Sequence, residues 1–306
     1  RPLPVLFSPV EKQHGQGPSK RTYKKWTERP FFQLICTFDE SCMRSFFLEL
    51  NGANIHCLRF GEGPQLLVAL HGFGDRARLF AILEEALSER YTVVAIDLPF
   101  HGQTEWPQRT FSKSDLLAVV RQIMLREGAE RLSLMGYSFG ARLVQAMLPD
   151  LLPQLDKLYL LAPDGIRTKG MSAAVRTPMW VRTLFFHLLK KPQWFLSLLG
   201  FGSRLGLVPP LILHFLSFNL TRPERYRRAF GCWFALDSFY LPRHRIKAIW
   251  RESGLPVDIY FGTKDEMIHY KTVKKMVEGV RNVRIFRMVA GHRLVGEGLR
   301  ERMRKV

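Results

Sequence analysis

From about residue 45 the chain alternates short apolar runs with amphipathic stretches, and the two periods separate cleanly. Residues 45–50, 55–60 and 65–70 read as three strands, with the Asn51-Gly52 pair as a hairpin turn between the first two. Helical spacing follows near 77–89, a strand at 92–96, and helical spacing again at 112–127. An apolar strand at 132–135 then leads into a helix over 141–148, which Pro149 is expected to stop. Further strands are expected at 157–161, 257–261 and 283–288, with a helix around 271–280 and another closing the chain. Strands alternating with helices predict an α/β fold whose mostly parallel, doubly wound sheet is covered on both faces.

Two segments break this rhythm. Residues 1–44 hold Pro, Gly, Lys and Arg with little periodicity and are expected to form an extension. Residues 165–250 carry large apolar side chains, among them Trp180, Phe185, Phe186, Trp194, Phe195, Phe201, Phe215, Phe218, Trp233 and Phe234. The expected division is therefore an extension over 1–44, a core over 45–164 and 251–306, and a helical insertion over 165–250.

A length of 306 residues with 46% hydrophobic content is ample for one large core. The longest uncharged stretch, 205–221, is interrupted by Pro209, Pro210, His214 and Asn219 and is too short to span a bilayer. No cationic stretch followed by a long apolar segment opens the chain. Cys36, Cys42, Cys57 and Cys232 fit neither a metal-ligand nor a redox spacing and read as reduced thiols. These features set the expectation of a cytoplasmic protein, either free or peripheral to a membrane.

Charge narrows the choice of partner. The net charge is +19, and residues 165–250 hold fourteen Lys or Arg against two acids, Glu224 and Asp237. Arg222, Arg225, Arg227 and Arg228 are the densest cluster, and Arg300, Arg302, Arg304 and Lys305 gather near the end. Solvated helix faces account for much of this. Combined with the aromatic residues, it also suits an anionic surface, either phospholipid headgroups or an acidic acyl carrier. No helix-turn-helix, zinc-finger or aromatic RNA-binding pattern accompanies the charge, so specific nucleic-acid binding is not expected.

The chemistry concentrates in Gly136-Tyr137-Ser138-Phe139-Gly140, a G-x-S-x-G run between an apolar strand and a helix. Such a turn lifts its central residue to the apex and needs small flanking residues where strand and helix pass. Ser138 is thus a candidate nucleophile, and a serine hydroxyl needs a base to take its proton during attack.

Four landmarks in order carry a family resemblance: Leu70-His71-Gly72-Phe73-Gly74, Asp97-Leu98-Pro99-Phe100-His101-Gly102-Gln103-Thr104, the Ser138 elbow, and Gly291-His292 after the last strand. Over residues 45–306 the chain resembles the α/β-hydrolases, in their serine-nucleophile, esterase- and lipase-like branch. The resemblance implies a triad in the order Ser138, Asp265, His292, with the acid following the penultimate strand in Phe261-Gly262-Thr263-Lys264-Asp265. His269 is the rival base. Asp164 is the alternative acid, because some relatives place it one strand earlier. His71 and His101 read as loop-organising residues, and His187, His214 and His244 as residues of the insertion or the surface.

By the same resemblance the oxyanion donors are the amides of Phe73 and Phe139, with His71, Gly72, Gly136 and Gly140 supporting elbow and loop. No metal or organic cofactor is called for, and the insertion is expected to act as a lid. A serine at the elbow disfavours the dehalogenases and epoxide hydrolases of this fold, which place an aspartate there. The expected reaction is hydrolysis of a carboxylic ester or thioester with an apolar acyl part through an acyl-enzyme. Carbon–carbon bond hydrolysis by the same triad, and a non-catalytic ligand-binding protein, remain the alternatives.

Overall fold

A computed structural model describes residues 43–164, 177–188, 193–208, 210–268 and 270–305. The chain divides into two compact units, 1–40 and 41–306, and the described residues belong to the second. The extension expected over 1–44 therefore falls almost wholly outside them, as do Cys36, Cys42 and the rival base His269.

Eight strands form one sheet: β1 (Arg44–Leu50), β2 (Ala53–Phe60), β3 (Gln65–Leu70), β4 (Tyr91–Ile96), β5 (Leu132–Tyr137), β6 (Leu155–Leu161), β7 (Val257–Gly262) and β8 (Val283–Met288). Their spatial order is β1-β2-β4-β3-β5-β6-β7-β8. The β1–β2 and β2–β4 pairs are antiparallel, and β4-β3-β5-β6-β7-β8 run parallel. Asn51 and Gly52 both take positive φ, as the two-residue turn joining β1 to β2 requires.

Side-chain alternation on the buried strands builds two cores. From β3, Leu66, Val68 and Leu70 enter one cluster, packed beneath helices Lys113–Arg126, Phe139–Leu151 and Arg243–Ser253. Leu67 and Ala69 enter the other, with Phe80, Leu83, Leu299 and Met303. Helix Lys113–Arg126 begins with a reciprocal cap in which the Ser112 hydroxyl accepts from the Asp115 amide and Asp115 accepts from the Ser112 amide.

Two expectations about helices need correction. The stretch near 77–89 is a 3-10 segment, Ala77–Leu83, followed by a single α-turn, Glu84–Leu87. The Ala77 amide donates to the buried Asp97 carboxylate at 2.6 Å, which anchors the start of the segment from outside it. Pro149 does not stop the elbow helix, which runs Phe139–Leu151 with the proline inside. Only the bond to the Gln145 carbonyl is forgone, and that lies within the last turn and a half.

Between β6 and β7 the chain forms helices Met179–Leu188, Gln193–Arg204, Pro210–Leu220, Pro223–Ala235 and Arg243–Ser253. Leu220, Tyr226, Phe230 and Phe234 bury themselves against Phe185, Phe186, Phe195 and Trp233 in a third, aromatic cluster. Arg109 lies over the Phe186 and Phe234 rings at 4.2 and 4.7 Å. His187, His214 and His244 are exposed on these helices.

Candidate active site

The chain leaves β3 toward β4 on one side and leaves the adjacent β5 toward β6 on the other, so these two connections diverge and open a crevice at the carboxyl ends. Register places Leu70 beside Gly136 and Tyr137 beside Leu161. The loop after β3, the turn after β5 and the loops after β6, β7 and β8 thus meet at one edge.

The turn after β5 is tight. Ser138 takes φ 49° and ψ −111°, a conformation costing about 1–3 kcal/mol for a residue with a side chain. Its amide donates to Leu161 O at 2.9 Å, and its carbonyl accepts from the amides of Ala141 and Asp164 at 3.0 and 3.2 Å. Bonds to both sides hold the strained residue in place. A Cβ on Gly140 would lie 2.0 Å from Leu70 O, and one on Gly136 would lie 2.5 Å from Ala141 Cα. Neither position admits any side chain.

Ser138 Oγ is 2.9 Å from His292 Nε2, and His292 Nδ1 is 2.8 Å from Asp265 Oδ2. An ionised carboxylate only accepts, so Nδ1 carries the proton and Nε2 accepts from the serine hydroxyl. Asp265 Oδ1 accepts from the Met267 and Ile268 amides at 2.8 and 2.9 Å. Burial alone would push this carboxyl up. The His292 hydrogen bond and the two amides outweigh it and hold the group below its ordinary value. The Tyr137 hydroxyl donates to His292 O at 3.1 Å, which fixes the backbone of the histidine loop. Nothing in the sequence marks Tyr137 for this task.

The alternative acid lies elsewhere in the crevice. Asp164 accepts two hydrogen bonds from Arg142 of the elbow helix, at 2.9 and 3.1 Å, so its carboxylate ties the β6 loop to that helix. The bond from His292 goes to Asp265. Arg142 is a second residue the sequence does not single out.

His71 is fully buried. Its Nδ1 donates to Gly72 O at 2.7 Å while Nε2 accepts from the Leu98 amide at 3.1 Å, and burial lowers its pKa to about 4. As a fixed neutral bridge it sets the path of the loop that carries Gly72 and Phe73. His101 stacks edge-on against both His71 and Phe73 and donates to Pro99 O. Burial likewise keeps it neutral. Phe139 is the first residue of the elbow helix, where an amide has no acceptor within the helix.

Beneath the loops, Asp97 accepts from the Ala77 and Gln103 amides and from His56 Nδ1 at 2.6, 2.8 and 2.8 Å. A Cβ on Gly102 would fall 1.9 Å from this carboxylate. Asp97 therefore binds the β4 loop to the loop after β3. Phe73, Phe100 and Phe139 pack on the same apolar cluster as Cys232 and Trp233 of helix Pro223–Ala235, and the Phe100 ring occupies the space a side chain at Gly231 would need. Cys57 and Cys232 are both buried free thiols, their pKa values raised to about 12 chiefly by burial.

A family model described as alpha/beta hydrolase fold matches residues 65–295. The chain is 26% identical over 152 residues to a soluble epoxide hydrolase of Corynebacterium sp., a match covering 49% of this chain and 52% of that protein. It is 28% identical over 116 residues to an uncharacterized protein of Mycobacterium bovis, covering 38% and 33%. The matches thus span from a third to about half of those relatives' own length. A thioesterase domain from the curacin biosynthetic pathway superposes with a TM-score of 0.60 at 16% identity, over 85% of this chain and 99% of that domain. At that identity the likeness is one of fold.

Proposed function

The chain belongs to the α/β-hydrolase fold family, and on that premise we propose that it is a serine hydrolase cleaving a carboxylic ester or thioester with an apolar acyl part. The observation that carries this reading is the unbroken hydrogen-bonded chain from Ser138 Oγ through His292 to Asp265. As Ser138 Oγ attacks the acyl carbon, its proton passes to His292 Nε2, and Asp265 stabilises the imidazolium that forms. The developing oxyanion is received by the amides of Phe73 and Phe139, each contributing on the order of 3 kcal/mol. His292 then gives its proton to the departing alcohol or thiol, leaving an acyl-enzyme. Water repeats the sequence, losing a proton to Nε2, and the acid departs as Oγ is reprotonated.

The serine favours acyl transfer over the epoxide chemistry named for the Corynebacterium relative. The apolar acyl preference is supported by Phe73 and Phe139, whose amides are assigned to the oxyanion hole, and by Phe100, all three packed on one apolar cluster. Hydrolysis of p-nitrophenyl esters from two to twelve carbons tests both points. Turnover rising with chain length and lost in Ser138→Ala supports the proposal; turnover indifferent to length removes the apolar pocket, and none at all removes the esterase reading.

The cationic insertion bears on where this chemistry takes place. Trp194, Leu198 and Phe201 are all more than half exposed, as is Leu205 just beyond the helix end, and the spacing of four and three puts the first three on one side of helix Gln193–Arg204. Trp180 and Leu184 form a second exposed pair one turn apart. Patches of this kind mark interaction surfaces. With fourteen cationic residues in 165–250, the partner chemistry that fits is an anionic lipid surface.

A further inference from the structure

Of the four clustered arginines, two have evident work. Arg225 lies 3.7 Å over the Phe218 ring and donates to Phe218 O, and Arg227 donates to Trp106 O. Arg228 turns instead toward the loop after β3. Its guanidinium carbon lies 5.7 Å from the centroid of the Phe73 ring, next to the amide assigned above to the oxyanion hole. Its Nε is buried and has no hydrogen-bond partner. Burial is the main reason its pKa lies below the ordinary guanidinium value. Water has thus been taken from the Nε edge of this cation, while the side chain as a whole stays partly exposed beside the Phe73 ring.

Arg228 is the arginine of the cluster whose charge reaches His71, His101 and Asp75. His71 and His101, close enough to feel it, are held neutral by burial. Asp75, on the same loop, is an acid that feels its charge: burial pushes the Asp75 carboxyl up, while Arg293, His292 and Arg228 pull it down. Arg293, the other arginine near Asp75, is exposed and spends its charge in solvent.

We propose that Arg228 forms a subsite for an anionic oxygen group, carboxylate or phosphate, carried on the substrate's acyl part beside the oxyanion loop. The planar guanidinium fork suits either group, which would bond the outer nitrogens. The subsite deepens the serine-hydrolase reading and rests on it for its role in turnover. It also changes the expected substrate, from a wholly apolar acyl chain to one with an apolar stem and a charged end.

The test compares two esters of equal chain length, p-nitrophenyl hemiglutarate and p-nitrophenyl valerate, as a ratio of kcat/KM. The wild type is expected to prefer the hemiglutarate by about tenfold or more, the scale of one charge-assisted contact. Arg228→Gln should reduce the ratio to within about threefold of unity, and Arg228→Lys, which keeps charge but loses the fork, should fall between. A wild-type ratio near one, or a preference that survives in Arg228→Gln, overturns the subsite. Competition by monomethyl glutarate against glycerol 3-phosphate distinguishes carboxylate from phosphate recognition. If neither ester is turned over, the serine-hydrolase reading fails on its own. Calorimetric titration of the wild type and Arg228→Gln with the same two competitors then decides the subsite: binding lost with the arginine sustains it, and no binding to the wild type removes it.

Discussion

Substituting Gly140 by alanine puts one methyl group where the elbow helix crosses β3. The added carbon would stand 2.0 Å from Leu70 O, 2.6 Å from Leu70 C and 2.7 Å from His71 O. Ordinary contact begins near 3.5 Å, so the overlap is roughly 1.5 Å. All three atoms are backbone, and no rotamer change can relieve the clash. Helix Phe139–Leu151 must therefore move away from β3 by about 1 Å, carrying Ser138 and the Phe139 amide away from the His71–Phe73 loop. Overpacking of this kind costs about 1–3 kcal/mol or more, and a 1 Å displacement at a reacting centre costs about a hundredfold in rate. Urea denaturation would measure the first effect and the rate of Ser138 acylation by a p-nitrophenyl ester the second. Gly200→Ala is the contrasting control, because a Cβ there meets nothing within 4 Å and should stabilise helix Gln193–Arg204 by about 0.5–1 kcal/mol. A Gly140→Ala protein with wild-type midpoint and wild-type acylation would refute the claim that strand and helix must touch at this point.

Three other outcomes follow from named contacts. Asp265→Asn presents an amide to His292 Nδ1 and favours the tautomer that cannot accept the serine proton, so kcat should fall by about a thousandfold or more; a silent Asp265→Asn with a damaged Asp164→Asn would move the acid to Asp164. Asp258, buried on β7, pairs with Arg284 at 2.7 Å and Lys157 at 2.9 Å; burial works to raise its pKa, but the two cations win and lower it. Its folded value then lies below its unfolded one, so the stabilisation is present above about pH 4 and disappears as pH falls through the folded value. Wild-type urea midpoints should drop more steeply than those of Asp258→Asn below pH 4, and Asp258→Asn should cost about 3 kcal/mol at pH 7; parallel pH profiles would contradict the assignment. Sedimentation with phosphatidylglycerol vesicles should exceed that with phosphatidylcholine, weaken as salt rises, and fall in a Trp194→Ser, Phe201→Ser double variant; salt-independent binding, or binding only to an acidic acyl carrier, would displace the lipid surface.

Most strands were legible because their apolar runs are short and bounded by charge or turn residues, as Glu130-Arg131 bounds β5. The elbow was legible because Gly136 and Gly140 answer to backbone atoms a few ångströms away, a constraint that leaves no other residue type. The acid was harder. Asp164 and Asp265 both follow parallel strands, and what separates them is Arg142, which lies on a different element and pairs with the first. Tyr137 looked like an ordinary strand residue, since its hydroxyl reaches a carbonyl 155 positions away. Phe100 and Ala162 adopt positive φ without being glycine, so composition gave no hint of either turn. The bounds of helix Pro210–Leu220 were hidden by a nearly unbroken apolar run, where neither face of a helix is marked by polarity.

The proposed chemistry requires Ser138 to be an activated nucleophile. Mass spectrometry of the folded protein after exposure to a fluorophosphonate reads it directly. One adduct is expected, on the peptide containing Ser138, absent from Ser138→Ala and formed far more slowly in His292→Ala. Folded wild-type protein that remains unmodified, or an adduct that persists in Ser138→Ala, would contradict it.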